Sequence, residues 1–178
     1  MDYAIDIFRI PLIHLDVENW KIKKKEISKI LKNTNLETID FELVKSDFNK
    51  KRKEDFYNEK IQKIFSEEIK KLEIVLNVSN FKIINSWFQK SEQNTYHQIH
   101  NHGALGFSSV CFIEYDQVEH LPTQFVSPFN NFLNGSLLSY SPENVKEGSI
   151  LFFPSLIHHY TIPNNSLKER ITLSFNLN

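Results

Sequence analysis

The sequence predicts an all-β core with flanking helices, an α+β chain in which one or two N-terminal helices pack on the sheet. Three observations predict it. From residue 81 onward short apolar runs recur between turn residues such as Gly135, Pro142, Gly148, Pro154 and Asn164-Asn165, the rhythm of a sandwich or barrel. Aromatic side chains make up 13% of the chain, fifteen of them Phe, and they suit a half-buried pleated surface. The first 80 residues instead place apolar side chains three and four apart, the period of an amphipathic helix.

In chain order, Ile5, Ile7, Phe8, Ile10, Leu12 and Ile13 read as an extended segment between Tyr3 and His14. Pro11 confines it to a sheet edge or a strand end. Asp16 to Leu31 carries Trp20, Ile27, Ile30 and Leu31 at helical spacing, with Lys21, Lys23, Lys24 and Lys25 as a solvated face. Asn33 to Asn49 reads as a loop with a short strand and receives no role. From Arg52 to Leu76 the residues Tyr57, Ile61, Ile64, Phe65, Ile69, Leu72 and Leu76 predict one long helix packed on the outside of the sheet. Phe81 to Phe88 is a strand with Trp87 on the parity of Phe81, Ile83 and Asn85. A strand from Ser108 to Tyr115 encloses Cys111. The irregular stretch from Asp116 to Leu133 has the turn chemistry of a lid over a pocket mouth. Four short strands follow, at Leu137–Tyr140, Ser149–Phe153, Ile157–Ile162 and Arg170–Asn176.

Length and charge bound the function. At 178 residues the chain fits a single domain, 1–178, able to bury roughly 70% of its unfolded surface; 1–80 supplies the N-terminal strand and supporting helices, 81–178 the core. A net charge of −1 lacks the basic excess that nucleic-acid binding needs, so no nucleic-acid partner is expected. Cys111 is the only cysteine, which excludes an intrachain disulfide. The first six residues lack a positive leader, and no apolar run reaches ~18 residues, so the expected place is cytoplasmic, with no membrane partner. No Ser sits in a strand-to-helix elbow and no Gly-rich phosphate loop is present.

The chemistry lies in the last third. His100 and His102, two apart, project together from an extended chain and can share one ion, with His159 as a third ligand from a distant strand. Glu114 and Asp116 follow closely and are alternative carboxylate ligands. His97, three before His100, belongs on the opposite strand face, and His158 faces away from His159; His14 and His120 have no constellation around them. Arg170, Thr172 and Ser174 share one strand face, which turns the guanidinium inward, where its planar fork matches a carboxylate.

Several stretches together resemble the Fe(II)- and 2-oxoglutarate-dependent oxygenases, in the small bacterial and phage branch with HxH where most members have HxD. They are Ser86-Trp87, His100-Asn101-His102, Ser108-Ser109-Val110, Phe153-Pro154-Ser155 ahead of His159, Pro163, and Arg170 through Asn176, with a weaker likeness at Ile7-Phe8-Arg9-Ile10-Pro11. The resemblance implies a double-stranded β-helix, the jelly-roll or cupin-like fold. It implies metal ligands His100, His102 and His159, and 2-oxoglutarate binding by Arg170, eleven positions past His159, helped by Thr172 and Ser174. Trp87, His97, Ser108 and His158 would line the pocket or support it. The implied cofactors are Fe(II) and 2-oxoglutarate as co-substrate with O2. The implied reaction is hydroxylation of a C–H bond, with release of succinate and CO2, on a peptide side chain or small metabolite. Two rivals stand beside it, a three-His dioxygenase without the ketoacid and a catalytically silent metal-binding jelly-roll. Oligomeric state is not legible.

Overall fold

A computed structural model of the chain describes residues 9–39, 43–48 and 54–178, the side chains of 54–56 excepted. Among the described residues, three helices arise from the N-terminal periodicity. α1 (Trp20–Lys32) turns Ile27 and Ile30 inward. α2 (Glu54–Ile64) and α3 (Ser66–Leu76) replace the one long helix expected there, whose proposed start at Arg52 lies outside the described residues. They meet in a kink at Phe65 (φ −99°, ψ 18°), across which Phe65 N still donates to Ile61 O and Ile69 N to Phe65 O. The Phe65 ring is fully buried, 5.4 Å from Phe175, and seating it contributes far more than one regular helical residue would.

Seven strands form the major antiparallel sheet: β1 (Ile13–Asp16), β2 (Glu37–Thr38), β3 (Lys45–Ser46), β4 (Ile83–Ser91), β5 (Phe107–Glu114), β8 (Ser149–Pro154) and β10 (Arg170–Leu177), in the order β1-β8-β5-β10-β4-β3-β2. β6 (Gln124–Val126), β7 (Ser139–Tyr140) and β9 (His159–Tyr160) make a minor sheet ordered β7-β6-β9. From β5 to β10 the chain visits major, minor, minor, major, minor and major sheets, so consecutive strands build two facing walls. The expected lid is overturned in part: Gln124–Val126 is buried strand, because Phe125 alternates into the space between the sheets. Of the expected first strand, Tyr3 to Phe8 lie outside the described residues.

Period-2 alternation divides the core into two layers. Cys111 and Ile113 of β5, Ile150 and Phe152 of β8, and Ile171, Leu173 and Phe175 of β10 pack against the three helices. Their neighbours Val110, Phe112, Leu151 and Phe153 face the minor sheet with Phe125 and Ile157. The even residues of β10 therefore face the same inter-sheet space. On β4 the expected parity fails: a register shift opposite Asn176/Leu177 lets Ile83 join the helix-side core while Trp87 and Gln89 face the cavity.

Candidate metal centre

Backbone pairing draws the histidines together. His100 and His159 form an isolated bridge, His100 N donating to His159 O at 3.0 Å and His159 N to His100 O at 2.9 Å, while His102 N donates to Ser155 O at 2.9 Å. The potential ligand atoms of His100, His102 and His159 all lie within 4.8 Å of one another, and Nε2 of His102 is 3.2 Å from Nε2 of His159. Imidazole nitrogens about 2.1 Å from one ion on a shared face stand about 3 Å apart, so this pair is spaced for a common metal. Two backbone carbonyls fix the tautomers. Nδ1 of His100 donates to Gln98 O at 2.7 Å and Nδ1 of His159 to Ile157 O at 3.0 Å, which leaves each Nε2 lone pair for the ion. Burial, reinforced by neighbouring His100, pushes the His159 imidazole well below its ordinary range and keeps it in the neutral, ligating form.

Arg170 closes the other end of the cavity. Its side chain is 4% exposed, its Nη1 donates to Leu121 O at 2.9 Å, and its guanidinium carbon lies 5.9 Å from the Phe112 ring centre. Nε is buried without a partner, and no carboxylate among the described residues pairs with the group. Burial pulls its pKa down to about 10. Neighbouring Glu169 is spent on Lys90 at 2.8 Å. An unpaired buried cation is costly unless a ligand completes it, and a carboxylate is the complement of its fork. Thr172 and Ser174 of β10, with Thr123, line the cavity beside it. The residues present thus fit both a metal ion and a carboxylate-bearing co-substrate.

A family model describing 2OG-Fe(II) oxygenases matches residues 85–176, more than half of the chain. The chain belongs to the 2OG-Fe(II) oxygenases. Iron(II) is therefore its metal, and 2-oxoglutarate and O2 are its co-substrates. Solved structures give the fold. A prolyl-4-hydroxylase from Pseudomonas putida is 13% identical, with a TM-score of 0.57 over 93% of this chain and 91% of that one. The 2-oxoglutarate-dependent epimerase SnoN of nogalamycin biosynthesis is 12% identical, with a TM-score of 0.71 over 96% and 78%. HygX from Streptomyces hygroscopicus, solved with nickel, 2-oxoglutarate and hygromycin B, is 8% identical, with a TM-score of 0.63 over 94% and 82%. All share the double-stranded β-helix fold seen here. No curated protein matches the sequence. No helix among the described residues is long and apolar enough to cross a membrane.

The oxygenase places its sequence-predicted residues unevenly. Trp87 lines the cavity with its ring 5.2 Å from that of His102. His97 lines it too, stacked on His100 at 3.9 Å; the opposite-face expectation fails because residues 95–98 are irregular and strand parity does not apply. Ser108 is not a lining residue, its hydroxyl being bonded to Ser155 and Asn176 at 2.9 and 2.7 Å, and Ser109 lines the cavity. His158 is exposed and bonds Asn101 at 3.1 Å, outside the cavity. Glu114 turns to Lys24 and Asp116 to Lys168, so neither carboxylate reaches the triad.

Two contributions escaped the sequence. Buried Asp47 accepts from Phe88 N at 2.7 Å and presents Phe48, whose ring stands 5.0 Å from Trp87, so these two residues back the cavity-lining Trp87 from outside. His120 is buried in a hydrogen-bonded loop behind Arg170. Neither carries a motif; only contacts made across the fold reveal them.

Proposed function

We propose that this oxygenase is a hydroxylase of a C–H bond in a peptide side chain or small metabolite. In this reading His100, His102 and His159 hold iron(II), and Arg170 pairs with the distal carboxylate of 2-oxoglutarate beside Thr172 and Ser174. One observation carries it: a guanidinium buried in the cavity of the triad, with an unpartnered Nε and no carboxylate among the described residues to pair with it. A dioxygenase without a ketoacid has no use for that cation, and a silent jelly-roll has no reason to bear its cost. When bound, iron(II) with 2-oxoglutarate and O2 supplies the oxidising power, with succinate and CO2 as by-products. The chain's own part is to hold the three imidazoles in their ligating tautomer, orient the ketoacid and keep the inter-sheet space dry behind Phe125 and Phe153. The β6–β7 connection, with Phe132 91% exposed and Leu133 97% exposed, supports a substrate contacted through apolar surface.

Anaerobic addition of Fe(II) and 2-oxoglutarate should raise the visible charge-transfer band of a chelated ketoacid, absent in His159→Ala and Arg170→Ala. Undiminished succinate release by either variant would overturn the assignment. With a substrate in hand, a product that gains one atom of labelled dioxygen marks hydroxylation, whereas an isomerised or cyclised product without it removes that part of the reading.

A further inference from the structure

We infer that His120 is a positioning residue that holds Arg170 in place for its carboxylate ligand. The inference rests on the reading of Arg170 given above. His120 lies in the loop between β5 and β6, and its side chain is 5% exposed. Its Nδ1 accepts from Asp116 N at 3.0 Å. The ring proton is therefore on Nε2, which donates to Lys168 O at 3.1 Å, and Asn164 Nδ2 donates to the same carbonyl at 2.9 Å. The Tyr115 hydroxyl donates to His120 O at 2.9 Å, and the next carbonyl, Leu121 O, receives Arg170 Nη1 at 2.9 Å. One imidazole thus ties together the two segments that hold Arg170. Lys168 is two residues ahead of it on the chain, and Leu121 grips its side chain.

Other contacts join the same segments. Lys168 Nζ reaches Asp116 at 2.5 Å and Glu119 at 2.6 Å, and Ser166 donates to Glu119. The Lys168 side chain is 56% exposed, and pairs that open to solvent hold two segments together only weakly. Removing the imidazole leaves the partly buried Asp116 N–H without its acceptor. The imidazole is the stronger tie. It ties the lead-in to β10 at Lys168 to the loop that carries Leu121 O, and Leu121 O accepts the hydrogen bond from Nη1 of a cavity-lining guanidinium whose Nε has no partner.

The test is calorimetric titration of 2-oxoglutarate into Mn(II)-loaded protein, where binding is read without turnover. His120→Ala should weaken 2-oxoglutarate about tenfold and leave Mn(II) affinity unchanged. His120→Asn keeps an acceptor for Asp116 N and should recover part of the loss, which also keeps the test open if the alanine variant does not fold. Arg170→Lys retains charge without the fork and leaves residual binding to measure. In that background His120→Ala should add little, because both changes act through one guanidinium. Fully additive losses, or equal losses of Mn(II) and 2-oxoglutarate affinity, would overturn the positioning role. Undiminished binding by Arg170→Lys and Arg170→Ala would overturn the Arg170 reading and this inference together. Undiminished binding by both His120 variants, beside a weakened Arg170→Ala, would overturn this inference alone.

Discussion

Arg170 shows how much can hang on one buried side chain that no carboxylate among the described residues pairs with. Its guanidinium is buried and its pKa depressed to about 10, so the apo protein carries an uncompensated cost at neutral pH. A carboxylate ligand converts that cost into a charge-assisted pair. Arg170→Met should therefore leave the metal-loaded, ketoacid-free protein within about 1 kcal/mol of wild type, the lost Leu121 contact being offset by the removed charge. Saturation with 2-oxoglutarate at a hundredfold its Kd should stabilise wild type by about 2.7 kcal/mol and the variant not at all. Thermal melts with and without 2-oxoglutarate decide it; equal ligand-induced shifts in both proteins would remove Arg170 from the site. The sign of the pH dependence follows from the direction of the shift. A base whose pKa is lowered loses its charge above that value, so 2-oxoglutarate affinity should fall as pH rises through about 10.

At the scale of elements, the short link from His102 to β5 is as demanding as the ligands themselves. Gly106 has φ +79°, and a Cβ there would lie 2.1 Å from Leu177 O, a backbone atom that cannot turn aside. Gly106 O also accepts from Ser155 N, and Ser155 O in turn holds His102 N. Gly106→Ala should destabilise the fold by roughly 2 kcal/mol or more and weaken metal binding with it. Denaturant unfolding and metal titration would check both, and a variant with wild-type values in each would show that the link is free to shift.

Across the whole molecule, what could be read in advance was whatever repeats. The alternation of Arg170, Thr172 and Ser174 with Ile171, Leu173 and Phe175 announced both the cavity face and the core face of β10, and the structure keeps that division. The HxH pair was legible from its spacing of two and His159 from the family resemblance, and the fold brings the three together. Three things were not. A bulge in β4 is a local shift of one residue that no period contains. The kink at Phe65 is imposed by a ring that must meet Phe175. His120 and Asp47 act on backbone atoms far along the chain, through contacts that exist only once the sheets have closed.

The tilted contact of Trp87 with His102 has a further consequence. The chain has two tryptophans, and the other, Trp20, sits on α1 with its indole nitrogen donating to Glu147. One indole therefore borders the metal and the other stands on the helical side, so the protein carries an optical reporter and an internal reference. Binding of a paramagnetic ion such as Fe(II) or Co(II) should quench the emission of Trp87 and leave that of Trp20, which makes the Trp20→Phe variant a direct fluorescent gauge of occupancy. Quenching that persists in Trp87→Phe would place the ion elsewhere.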